Sequence, residues 1–123
     1  VRAIIVDDSK VIRTVIGRIL RELGFETIEA GNGREALAQL EANPRVDLAL
    51  VDWNMPVMNG YELVCELRRN PSHHGMRILM VTTETDISNV QQALSAGASE
   101  YLMKPFTKEA IADKLAVLGL VGA

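Results

Sequence analysis

Leu48-Ala49-Leu50-Val51-Asp52-Trp53-Asn54-Met55-Pro56-Val57-Met58-Asn59-Gly60 is the stretch from which the fold is read. Its first four residues are continuously apolar rather than alternating, the pattern of a strand covered on both faces. The run stops on a carboxylate, Asp52. A loop containing Pro56 and ending at Gly60 then turns the chain into a helical pattern, Leu63, Val64 and Leu67, expected over Tyr61 to Arg69 and stopping before Pro71.

The same order recurs outward in both directions. Ala3-Ile4-Ile5-Val6 runs into the acidic pair Asp7-Asp8, Ile78-Leu79-Met80-Val81 into Thr82, and Tyr101-Leu102-Met103 into Lys104. Phe25 to Ala30 alternates apolar and polar residues, as an edge strand does. Helical patterns separate the strands. The first places Ile12, Val15, Ile16, Ile19 and Leu23 inward and stops at Gly24. The second opens on Asn32 and Glu35, spaced as a capping box, continues through Ala36, Leu37 and Leu40, and is closed by Pro44. Asp86 is the expected cap of the fourth, with Ile87, Val90 and Leu94 inward and Gly97 beyond it. Thr107 is the expected cap of the last, with Ile111, Leu115 and Leu118 inward. Fivefold alternation of strand and helix predicts an α/β domain with a parallel sheet. Right-handed crossovers cover both faces if the chain reverses direction once, as in the flavodoxin-like (βα)5 order 2-1-3-4-5.

Composition narrows the function classes. The 123 residues suit a single domain spanning 1–123, and 48% apolar residues suffice for a core. A net charge of −3 argues against direct nucleic-acid binding, which wants a basic stripe. No 18-residue apolar run or signal pattern is present, so a membrane span is not expected. The single cysteine, Cys65, cannot form an internal disulfide, and a reducing cytoplasm is the expected location. Opening on Val1 rather than Met suggests a trimmed chain or a domain of a longer one. An end soon after the fifth helix suits a stand-alone chain.

Parallel strands in one sheet would bring Asp7, Asp8, Asp52, Thr82 and Lys104 to one edge. At an effective dielectric near 20, each carboxylate pair at about 4 Å repels by roughly 4 kcal/mol, so such a cluster protonates or holds a cation. Oxygen ligands without His or Cys favour Mg²⁺, with Mn²⁺ an alternative, over zinc. Asp8 and Asp52 are the expected direct ligands, Asp7 is expected to act through water, and the Asn54 backbone carbonyl is a further candidate. An aspartate beside such an ion can attack phosphorus and form an aspartyl phosphate. Thr82 could then donate a hydrogen bond to a phosphoryl oxygen and Lys104 could reach another as a mobile charge. Taken singly, the other polar residues read more simply. His73 and His74 look like surface histidines, Cys65 a packing residue, the methionines core fillers, and Trp53 a partly exposed neighbour of the site.

Asp7-Asp8, Asp52-Trp53-Asn54-Met55-Pro56, Val81-Thr82 and Lys104-Pro105-Phe106, in order on this pattern, resemble the response-regulator receiver family over the whole chain. The segments Asp52–Gly60 and Gly97–Thr107 are most similar to its chemotaxis members. The resemblance implies a two-component phosphorelay in which Asp52 accepts a phosphoryl group from a phosphohistidine on a sensor histidine kinase. It implies that Asp7, Asp8 and the Asn54 carbonyl serve Mg²⁺, and that Thr82 and Lys104 hold the phosphoryl group. It also implies a cis Lys104–Pro105 bond and a Tyr101 that rotates inward with Thr82. An effector is then expected on the surface of the fourth helix, fifth strand and fifth helix, with a phosphatase as a further partner. Asn54 and Glu84 are the implied modulators of autodephosphorylation, with a phosphoryl lifetime of seconds to minutes. Thr83 departs from the small residue usual there, which predicts slower transfer from small donors.

Three other classes compete. An aspartyl-phosphate hydrolase similar to the haloacid dehalogenases would want a DxD motif after the first strand and a cap domain, and Asp7-Asp8-Ser9 lacks that spacing. A flavodoxin-type electron carrier would want a Ser/Thr/Gly phosphate loop in place of the acidic pair. A degenerate receiver would lack part of the residue set that is present here. A receiver cut from a larger regulator with a DNA-binding or enzymatic output domain would have the same sequence features as a stand-alone one.

Overall fold

The structure, a computed structural model, describes residues 1–83 and 89–120. The order is β1 (Arg2–Val6), α1 (Lys10–Glu22), β2 (Glu26–Ala30), α2 (Gly33–Ala42), β3 (Leu48–Asp52), α3 (Gly60–Arg69), β4 (Arg77–Thr82), α4 (Val90–Ala96), β5 (Glu100–Met103) and α5 (Lys108–Val117). All strand pairs are parallel and the sheet runs β2-β1-β3-β4-β5. This is the flavodoxin-like arrangement expected from the alternation.

Alternate residues of the central strands β1, β3 and β4 enter opposite cores, which is why these runs are apolar without interruption. Ile4, Val6, Ala49, Val51, Ile78 and Met80 pack with Ala36 and Leu40 of α2, Leu63, Val64 and Leu67 of α3, and Ala93 of α4. Ala3, Ile5, Leu48, Leu50, Leu79 and Val81 pack with Ile16 and Leu20 of α1 and Ile111 and Leu115 of α5. Every residue of β3 is buried. Each buried leucine or isoleucine contributes roughly 1.5–3 kcal/mol relative to exposure. Strand order reverses between β1 and β3, so a crevice opens beyond their carboxyl ends.

Several local expectations are corrected. Val15 is 44% exposed and Leu94 39%, because α1 and α4 present Ile16, Leu20 and Ala93 to the sheet instead. The Asn32 side chain accepts from Glu35 N, but Glu35 returns its carboxylate to Gly31 N, so only half of the capping box forms. The reciprocal box belongs to α3, where Asn59 and Glu62 cap each other and the helix starts at Gly60. His73 is buried rather than superficial: a 3-10 turn at Pro71–His73 folds back beneath α3, and Arg68 donates to the His73 carbonyl. Burial and the neighbouring Arg68 charge lower the His73 pKa. Cys65 is half-buried, as is Trp53. Thr107 caps α5 as expected, while Asp86 and Ile87 lie outside the described residues. Among the described residues, no helix is long and apolar enough to cross a membrane.

Candidate functional site

Asp7 follows β1 and Asp52 ends β3, and the two strands pair in register with Val6 beside Val51, so the two carboxylates leave neighbouring strand ends side by side. The Asp7 amide continues the ladder to the Ala30 carbonyl at 3.1 Å, and Arg13 Nη1 donates to the Asp7 carbonyl at 2.6 Å. Asp7 Oδ1 accepts from Ser9 N at 2.8 Å, and Ser9 in turn caps α1. Asp7 and Asp52 are buried and Asp8 is exposed, yet one oxygen from each of the three lies within 4.8 Å of the others.

Lys104 arrives from the other side of β4. Its amide donates to the Thr82 carbonyl at 2.7 Å, prolonging the β4–β5 ladder past Met103. Its Nζ reaches Asp52 Oδ1 at 3.1 Å and Asp7 Oδ2 at 3.4 Å. The Lys104–Pro105 bond is cis. Thr82 is buried at the end of β4, and its hydroxyl makes a long contact to the Thr83 carbonyl at 3.4 Å.

Burial raises the Asp52 pKa most, the Asp7 charge adds to that, and Asp8 adds less. Lys104 opposes them, and the carboxyl is pushed up to about 6. Burial pulls the Lys104 ammonium down, but the Asp52 and Asp7 charges outweigh it and hold the ammonium above its ordinary range. Three carboxylates against one ammonium leave an excess of about two negative charges, which one divalent cation would balance. An all-oxygen donor set with one exposed member suits a hard ion that keeps part of its water. Both Asp7 oxygens already accept hydrogen bonds, from Ser9 and Lys104, which suits a water-mediated role better than direct ligation.

The response regulator receiver domain model matches residues 3–116. The chain belongs to the response-regulator receiver family. Chemotaxis protein CheY1 of Helicobacter pylori (strain ATCC 700392 / 26695) is 40% identical over 118 residues, 95% of each chain. The chemotaxis protein CheY homolog of Campylobacter jejuni (strain 81-176) is 42% identical over 115 residues, 93% of this chain and 88% of that one. Among solved structures, Vibrio cholerae CheY4 superposes with a TM-score of 0.87 at 38% identity, covering 94% and 96% of the two chains. A "probable two-component system response regulator/GGDEF domain protein" gives 0.90 at 31% identity, covering 98% of this chain and 50% of that one.

Asn54 is on the exposed loop two positions after Asp52. Glu84 lies outside the described residues. Tyr101 sits on β5 opposite Met80, half-buried, with Lys114 Nζ 4.8 Å from its ring centroid, and it borders an open groove with Val90, Leu94 and Ser95 of α4. Thr83 shares a second groove with Lys104, Pro105, Phe106, Ile12 and Val15. Sequence reasoning missed Ser9 and Arg13, which tie down Asp7. A small cap-type residue two positions after the acid was a usable signal for Ser9; nothing local marks Arg13. Gly60 was seen only as a loop end. A Cβ there would press on the Asp52 carbonyl and lie 3.0 Å from Trp53 Cα, so the close return of the loop requires glycine.

Proposed function

We propose that this receiver accepts a phosphoryl group on Asp52 from a phosphohistidine of a sensor histidine kinase, and that the modification changes its α4-β5-α5 surface for an effector protein. The supporting observation is the bridge from Lys104 to Asp52 and Asp7 within the carboxylate cluster. An oxygen of Asp52 bonds to phosphorus as the donor's phosphorus–nitrogen bond breaks, and the bonding pair leaves with the imidazole. A pKa of about 6 keeps Asp52 largely ionised at neutral pH and more nucleophilic than an ordinary aspartate. Lys104 already lies against the attacking carboxylate, so a modest swing carries its ammonium to a phosphoryl oxygen. The Thr82 hydroxyl, whose contact to the Thr83 carbonyl is long at 3.4 Å, would donate to another.

Mg²⁺, or Mn²⁺ in its place, would be held by Asp8, Asp52 and the Asn54 carbonyl with Asp7 behind water, and it supplies charge neutralisation at the carboxylate and phosphoryl oxygens. Hydrolysis reverses the state: water attacks phosphorus, the acyl phosphate P–O bond breaks, and carboxylate and phosphate are released. Asn54 and Glu84 are positioned in sequence to influence that water. Chemotaxis is the setting that the names of the relatives support; a cytoplasmic location and a phosphatase as an additional partner belong to the same proposal. A second arrangement, a receiver within a larger regulator, is supported by the GGDEF protein, of which this chain covers half.

Intact-mass analysis after acetyl phosphate and Mg²⁺ tests the acceptor. The native protein should gain one phosphoryl group and Asp52→Asn should gain none. Equal labelling of both would overturn the assignment.

A further inference from the structure

The loop from Trp53 to Asn59 is closed at its base, where Gly60 N donates to the Trp53 carbonyl at 2.9 Å. Its tip is tighter. Met58 N donates to the Pro56 carbonyl at 2.7 Å around Val57, whose φ is 70° and which is 73% exposed. A β-branched residue in the left-handed region is strained and persists only when its surroundings over-determine it. Val57, being exposed, cannot hold itself there. Met58 can: it is half-buried, packs against the α2–α3 core and sits directly on Gly33. A Cβ at position 33 would lie 2.7 Å from Met58 Cγ and 2.8 Å from both its Cβ and its Sδ. Gly33 is not among the glycines with positive φ. The backbone therefore does not demand glycine there; the methionine does.

Gly33 opens α2, immediately after the β2 end. Ala30, at that end, accepts the Asp7 amide, and Gly31 N is tied to Glu35 of α2 at 2.9 Å. One short junction, Ala30 to Gly33, thus contacts both halves of the site: the β1–α1 corner through Asp7, and the β3–α3 loop through Met58. It contributes no carboxylate to the cluster. We infer that Gly33 and Met58 are positioning residues that set the β3–α3 loop, and with it Asn54, against the acidic corner at the spacing that Mg²⁺ requires. This rests on the metal assignment proposed above.

The test is a Mg²⁺ titration followed by Trp53 fluorescence, with thermal unfolding and hydrogen exchange of the metal-free loop recorded in parallel. Gly33→Ala should weaken Mg²⁺ affinity about tenfold, the loss typical when a group supporting a ligand is displaced, and should speed exchange of the Met58 amide. Met58→Ala, which leaves Gly33 intact, should weaken affinity similarly, and Met58→Leu should restore most of it. Adding Gly33→Ala to Met58→Ala should cost less than Gly33→Ala costs alone, because the clashes with Cγ and Sδ are gone and only the 2.8 Å approach to the Cβ at position 58 remains. Native affinity in Gly33→Ala, or a lowered melting temperature without a change in affinity, would overturn the inference alone. So would a Gly33→Ala effect that persists undiminished in the Met58→Ala background. Absence of Mg²⁺ binding by the native protein would overturn the metal assignment and this inference together.

Discussion

Replacing the acceptor by asparagine should stabilise the metal-free protein, and the gain should depend on pH. Asp52 is buried and faces Asp7, and Lys104 offsets only part of that penalty, so its carboxyl is pushed up to about 6 from the ordinary value of about 4. Two units correspond to about 3 kcal/mol. The sign follows from proton uptake. Between about pH 4 and pH 6 the unfolded chain has released this proton while the native state still holds it, so native stability falls as pH rises. Above about pH 6 both states are ionised and the penalty is fully present. The neutral amide introduced by Asp52→Asn has no such titration. The stability difference between Asp52→Asn and native protein should therefore grow by up to about 3 kcal/mol between pH 4 and pH 7, about 10 °C in melting temperature for a chain of this size. Urea unfolding of both proteins in EDTA across that range measures it. Saturating Mg²⁺ at neutral pH should close the gap by stabilising the native protein, by about 2.7 kcal/mol at a hundredfold excess over Kd. A difference that stays flat with pH, or one that shifts in favour of the native protein as pH rises, would refute the argument from burial and repulsion.

Lys104→Ala removes the charge that bridges Asp52 and Asp7 and should slow phosphorylation by acetyl phosphate at least tenfold, read by intact mass against time; an unchanged rate would remove Lys104 from the chemistry. Thr83→Ala opens the groove it shares with Lys104 and Phe106, and the acetyl phosphate rate should rise severalfold while unfolding changes little; equal rates would show that the side chain at 83 does not gate small donors. Leu50→Ala empties a fully buried position in the central strand and should destabilise by about 2–5 kcal/mol, measured by urea unfolding; a loss well under 1 kcal/mol would contradict the packing described for the α1–α5 core.

Local patterns made much of this legible. Continuous apolar runs identified β1, β3 and β4 because strands covered on both faces leave no position for a polar residue. Thr107 as a helix cap was readable because capping is decided within one turn. The edges of helix faces were not. Periodicity at Val15 and Leu94 marks a broad apolar arc, but where that arc ends depends on the neighbouring element, and both residues lie beyond it. His73 reads as superficial from its polar neighbours, and its burial comes from the 3-10 turn at Pro71–His73 that packs against α3.

The sequence alone determined that strands ending on Asp, Thr and Lys residues are separated by helices, since strand burial and helix periodicity are written in near neighbours. The tertiary structure decided which ends meet. Lys104 reaches Asp7 across 97 residues, and Met58 seats on Gly33, because sheet register and two-sided core packing bring distant segments together with a precision that no local pattern carries. Even the individual character of the three carboxylates comes from there. Asp8 faces solvent, Asp7 is tied by Ser9 and Lys104, and Asp52 is buried with a raised pKa.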